Sequence, residues 1–305
     1  MLDFQPMTLA DAAWMKPLQE SSHQICCEYL PGNIYLWGTQ YGTEICRLKG
    51  RRGDFFLTYS HIEHNYGFPT GTGDVSWALS VLFADAEARD IPPRLFGVSD
   101  RARAVLEGLY PGRFAFLENR DFSDYVYNAS DLIHLPGKKY HAKRNHIAAL
   151  VKAHEWHYAP LTRENVPDCR AFQAEWLRAN AGKNPEELAQ EDIAVQRALA
   201  HFDALGFVGG VLYVGDAVAG FTVGERVNES IFCTHIEKAD GAIRGAYPLL
   251  NREFAANALA DYEYIDREED TGDPGLRRAK LSYYPVRIPV EYTMVEMDSI
   301  RGANI

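Results

Sequence analysis

The segment that most limits how this chain can fold is residues 207–236. Residues 207–214 and 217–224 are rich in β-branched and aromatic side chains. Only Gly215-Asp216 separates them, the two-residue connection of a tight hairpin. Residues 230–236 add a third strand, so the segment reads as an antiparallel meander. A glycine-bearing turn at 238–247 follows, then a helix at 248–260, a strand at 262–267, a short helix at 275–281 and a last strand at 287–294. Strands that first pair locally and then alternate with helices point to an α+β class.

The upstream sequence is less regular. Its pattern predicts an amphipathic helix at 10–20, strands at 33–37, 43–48 and 54–59, and a loop, Phe68-Pro-Thr-Gly-Thr-Gly-Asp, opening a helix at 75–89. A strand at 94–98 leads to Ser99, an N-cap for a helix ending near 109, and alternating strands fill 113–135. Helices at 140–154 and 166–179 flank a strand at 156–160. Asn184-Pro185-Glu186-Glu187 carries the residues of a capping box, with proline at the first helical position. The helix it opens would bury Leu188, Val195, Leu199 and Phe202 on one face.

Composition then removes whole classes. The 305 residues are 47% hydrophobic and 24% charged, which suits two globular domains of about 100–200 residues each. The first twenty residues carry acids and no apolar core, so a signal peptide is not expected, and no apolar run reaches the ~18–20 residues of a membrane span. These readings give a cytoplasmic chain with no integral membrane segment. A net charge of −11 excludes a general nucleic-acid coat and makes DNA an unexpected partner; a polyanion must be met by a local basic patch. Cys26, Cys27, Cys46, Cys169 and Cys233 are odd in number and form no CxxC pair, so neither a disulfide framework nor a metal site is expected.

Two charged segments carry the chemistry. Lys138, Lys139, Lys143 and Arg144, followed by Asn145, gather four cations where Pro136-Gly137 opens a helix. Backbone N–H groups and the dipole favour an anion there, so the segment reads as a phosphate or carboxylate grip, or as a solvated helix face. Further on, the acids Asp266, Glu268, Glu269 and Asp270 end a strand, and Arg277, Arg278 and Lys280 lie on the next helix. Crowded carboxylates raise one another's pKa, which suits a general base; the other reading is a surface ion-pair network capping the helix. A third candidate is the turn Gly241-Ala-Ile-Arg244-Gly245-Ala-Tyr247, whose amides lie at a helix start and could face an anion, or which reads simply as a helix entry. His61 and His64 have no third ligand and read as surface histidines, and Cys233 reads as a core thiol.

Meander, glycine turn, helix, strand, helix, strand resembles one half of a GNAT acyltransferase, and the first half of the chain looks like a degenerate copy. This implies two tandem GNAT-like domains, at 1–137 and 138–305. Leu135-Pro-Gly-Lys-Lys-Tyr-His-Ala-Lys-Arg-Asn-His146 and Asp266-Arg-Glu-Glu-Asp-Thr-Gly-Asp-Pro-Gly-Leu-Arg-Arg-Ala-Lys-Leu-Ser-Tyr-Tyr-Pro285 resemble the two signatures of the DUF2156 family. That family is grouped with the C-terminal domain of phosphatidylglycerol lysyltransferases and, more remotely, with the FemABX peptidyltransferases.

The resemblance implies a soluble aminoacyl or acyl transferase working by direct attack. Glu269 and Asp270 would hold the amino group of the transferred residue, and Lys280 would steady the ester oxygen or the donor's phosphate. Lys138, Lys139, Lys143, Arg144, Asn145 and Arg277 would bind the donor. Aminoacyl-tRNA or acyl-CoA would be that donor, and a small molecule or a lipid headgroup the acceptor; no resident cofactor is required. Arg244, Gly245 and Tyr247 keep only part of the coenzyme A pattern, so an acetyl-CoA-dependent N-acetyltransferase stands as one alternative. A catalytically inactive ligand-binding or scaffold protein is the other.

Overall fold

The hairpin at Gly215-Asp216 forms, with Val214 and Ala217 paired across it. It belongs to a computed structural model that describes residues 1–182 and 184–297. Two sheets organise these residues, each within its own packing unit.

The first unit comprises Met1–Asp124, Glu269–Pro274 and the segment from Ile288 onward. Its eight-stranded sheet runs Gln5–Pro6, Thr43–Gly50, Gly53–Ser60, Asn65–Gly67, Arg94–Ser99, Glu291–Glu296, Phe114–Glu118, with Thr70–Gly73 paired to Gly53–Ser60. The last strand among the described residues, Glu291–Glu296, thus sits between two early ones, antiparallel to both. The core beneath holds Leu57, Tyr66, Leu79, Leu82, Leu95, Leu106 and Met294. Asp74 caps the helix Val75–Ala88 by accepting from Trp77 N, and Ser99 caps Asp100–Leu109 by accepting from Ala102 N, as its position predicts.

The second unit comprises Tyr125–Glu268 and Gly275–Arg287. Its six strands run Val126–Asn128, Tyr264–Asp266, Ile231–Ala239, Ala217–Arg226, Val208–Val214, Trp156–Pro160, antiparallel except where Ile231–Ala239 meets Tyr264–Asp266. The helix Ala246–Ala258 packs on the three meander strands through Leu249, Leu250 and Phe254, all buried.

Three local expectations are corrected. Residues 33–37 are not a strand but lie in the helix Pro31–Tyr41, with proline at its start and Gly42 left-handed at its end. Ile34, Tyr35 and Leu36 are all buried, so the helix is apolar around much of its circumference and shows no readable 3.6-residue stripe. Residues 113–135 hold two short strands, Phe114–Glu118 and Val126–Asn128, a single 3₁₀ turn and the helix Ala129–His134. Pro185 does open a helix, Pro185–Leu205, but Asn184 makes no side-chain cap bond. Among the described residues no helix is long and apolar enough to cross a membrane.

Candidate functional site

In the second unit the meander is deliberately irregular. Opposite Val223 stands Ile236, but opposite Gly224 stands Thr234, so His235 is an extra residue on its strand. Such a bulge re-aims a side chain. A Cβ at Gly224 would lie 2.1 Å from Cys233 O, so the close approach requires glycine.

The His235 side chain is fully buried between two carboxylates. Nε2 lies 3.1 Å from Glu225 Oε1 and Nδ1 lies 2.6 Å from Glu268 Oε1. Two acceptors demand two N–H donors, which is the imidazolium form. Burial opposes that charge, but the bonds to Glu225 and Glu268 outweigh it and hold the pKa up to about 9. Cys233, buried on the same strand, has its Sγ 3.8 Å from Nδ1.

Glu268 reaches His235 from an unusual backbone. Its φ is +57°, in the left-handed region that costs a non-glycine residue about 1 kcal/mol or more. The surroundings impose it: Asp266 Oδ1 accepts from Glu268 N at 2.9 Å, and Lys280 Nζ donates to Arg267 O at 2.6 Å and Glu268 O at 3.0 Å. Lys280 lies on the helix Pro274–Leu281, is buried, and offers its own carbonyl to Tyr127 Oη at 2.8 Å.

A second network lies in the same unit. Arg267 donates to Glu237 Oε1 at 2.7 Å, and Asn251 donates to Glu237 Oε2 at 3.0 Å. The Arg267 guanidinium stands 4.8 Å from the centre of the Tyr283 ring, and Lys143 Nζ stands 3.8 Å from the same centre. Two cations share one aromatic ring. Burial, and then repulsion from Arg267, lowers the Lys143 pKa to about 8.

The other residues singled out by sequence are distributed as follows. Lys138, Lys139 and Asn145 are exposed; Lys139 meets Asp131 at 3.3 Å, and Asn145 bonds His141 Nε2 at 3.0 Å. Arg144 donates to Leu135 O and, at 2.8 Å, to Gly137 O, closing its own loop. Arg277 is half-buried on the helix that carries Lys280.

Arg244 is exposed, whereas Gly245 is buried with φ +101° and would place a Cβ 2.4 Å from His146 O. Helix packing therefore accounts for that glycine. Tyr247 is half-buried, and burial raises its hydroxyl pKa.

Glu269 and Asp270 belong to the first unit. Glu269 Oε2 lies 3.6 Å from Cys27 Sγ. Asp270 is fully buried, faces Arg120 at 3.6 Å and accepts from Gly272 N at 3.0 Å. His61 and His64 are exposed and Cys233 is buried, as expected.

Sequence reasoning passed over Glu225, His235 and Glu237. Their signal was present: charged residues interrupting otherwise apolar strands in a meander, where burial requires a partner.

A sequence profile described as phosphatidylglycerol lysyltransferase, C-terminal, matches residues 22–294. The chain belongs to that family. A Bacteroides thetaiotaomicron protein of unknown function is 37% identical, superimposes with a TM-score of 0.90, and the match covers 97% of this chain and 100% of that one. L-PGS from Bacillus licheniformis is 14% identical with a TM-score of 0.62, over 93% and 91% of the two chains, a likeness of fold. An uncharacterized protein of Mycoplasmoides gallisepticum is 27% identical over 175 residues, 56% of this chain and 55% of its own. The chain thus matches about half the length of that curated relative. Two mainly antiparallel sheets flanked by helices in one chain are the tandem GNAT fold.

Proposed function

We propose that the chain transfers an aminoacyl group from a phosphate-bearing donor of the aminoacyl-tRNA type to an amine or hydroxyl by direct attack, with Lys143 as the proton acceptor. The observation that carries this reading is the Lys143 ammonium, half-buried 3.8 Å from the centre of the Tyr283 ring with a pKa of about 8. An amine tuned toward neutral pH can take the proton that the attacking group must lose, and general-base help of this kind is worth roughly 10²–10⁴-fold. The family match supports the donor class. Exposed Lys138 and Lys139, one turn before Lys143, supply positive charge for its phosphates. Lys280 acts as a positioning residue, holding the Arg267–Glu268 carbonyls and so the carboxylate on His235.

The coenzyme A reading has less behind it. Ala242 N in the relevant turn is already bonded to Asp240 Oδ1 at 2.8 Å, and a carboxylate there repels a pyrophosphate.

The test is transfer of labelled lysine from lysyl-tRNA to phosphatidylglycerol vesicles and, separately, to soluble amines. The rate should rise through a pH near 8 as Lys143 loses its proton. Lys143→Met should remove that limb and lower kcat on the order of 10²-fold with KM little changed. Turnover of acetyl-CoA without any aminoacyl-tRNA binding or transfer would sink the proposal.

A further inference from the structure

We infer that the first unit contains a zinc site formed by Cys26, Cys27, Asp124 and Glu291, separate from the chemistry proposed for the second unit. Ligand atoms of Cys26, Cys27 and Asp124 all lie within 4.8 Å of one another, and the three residues are buried. Glu291, at the start of the strand Glu291–Glu296, is 2% exposed, and its carboxylate meets the Cys26 thiol. Its Oε2 is buried without a hydrogen-bond partner among the described residues. A buried acceptor left unmatched is destabilising, and a cation is the partner that two thiols and two carboxylates can share.

The measured spacing of one ligand pair, Cys27 with Asp124, fits the ion. A tetrahedral zinc with sulfur at about 2.3 Å and oxygen at about 2.0 Å separates those ligands by about 3.5 Å. Cys27 Sγ lies 3.2 Å from Asp124 Oδ1, the proposed ligand pair, and 3.6 Å from Glu269 Oε2, which borders the site. Asp124 is also oriented by a backbone amide: its Oδ2 accepts from Cys27 N at 3.0 Å, leaving Oδ1 toward the sulfur. Binding exchanges protons for metal; two thiols give up two protons as two Zn–S bonds form, so affinity falls as pH falls.

This site departs from the sequence expectation, because neighbouring cysteines escape a search for CxxC. Among the described residues a second cluster of metal-binding residue types, Cys233, His235 and Glu268, is a poorer candidate because both His235 nitrogens are already bonded to carboxylates.

Cobalt(II) is the probe. The full chain, reduced and stripped of metal, is titrated with Co²⁺ and the near-ultraviolet thiolate-to-cobalt band is followed, then displaced with Zn²⁺. One cobalt per chain and a band abolished in Cys27→Ser are expected, with affinity at least tenfold weaker in Glu291→Gln and the band intact in Cys233→Ser. No band in the unmodified chain at millimolar Co²⁺ overturns the site without reference to any variant. A band that survives Cys27→Ser, or disappears in Cys233→Ser, overturns it as well.

Discussion

Residues 138–146 and the pair formed by Asp266–Glu268 with Lys280 are both dense in charge and both lie in the second unit, yet they meet water on opposite terms. Lys138 and Lys139 stay in solvent, whereas Asp266 is 1% and Lys280 8% exposed. The difference comes from the backbone. A helix opening spreads its side chains outward, while the left-handed Glu268 offers two successive carbonyls to one ammonium. Charge density along a sequence therefore reports the supply of ions and says little about their solvation.

The contrast can be broken most sharply at His235. His235→Ala leaves Glu225 and Glu268 facing each other without their cation, and removing one partner from a buried ionic set costs about 3–5 kcal/mol. Urea unfolding should show it. The pH dependence has a definite sign: the folded pKa of about 9 exceeds the ordinary 6.5, so the stabilisation is full below 6.5 and is lost as pH rises through about 9. His235→Gln should flatten that decline; parallel profiles for the two proteins would contradict an imidazolium here.

A smaller loss is expected for Lys280→Met, which strands the carbonyl of Arg267 and leaves that of Glu268 with Tyr125 N as its remaining donor, at about 1–3 kcal/mol. If its unfolding midpoint equals that of the unmodified chain, Lys280 is not the strut described. Smallest of all is the exposed pair. Lys138→Glu with Lys139→Glu should leave the midpoint unchanged while weakening fluorescent tRNA binding and reducing its salt dependence. A fall in stability instead would erase the distinction between the two regions.

Much of the second unit was legible because its signals are local. Gly215-Asp216 names its hairpin, Pro185 its helix start, and the apolar runs of the meander their strands. In the first unit, Ser99 named its helix through a side chain that does accept Ala102 N. The helix Pro31–Tyr41 was misread because Ile34, Tyr35 and Leu36 are buried in succession, which leaves no apolar stripe of helical period to read. The site was harder. Its basic residues were visible as a run, but the His235 clamp depends on a one-residue bulge and on Glu268, brought up by a strand paired across the sheet. No spacing rule joins positions 225, 235 and 268.

The strand Glu291–Glu296 lies between Arg94–Ser99 and Phe114–Glu118, both made far earlier in synthesis. A ribosome delivering this polypeptide must release the whole meander before that gap can close. Until then Arg94–Ser99 and Phe114–Glu118 each present an open edge, the kind of surface that recruits strands from other molecules. Nascent chains halted before residue 291 should therefore depend on chaperones far more than the finished product does.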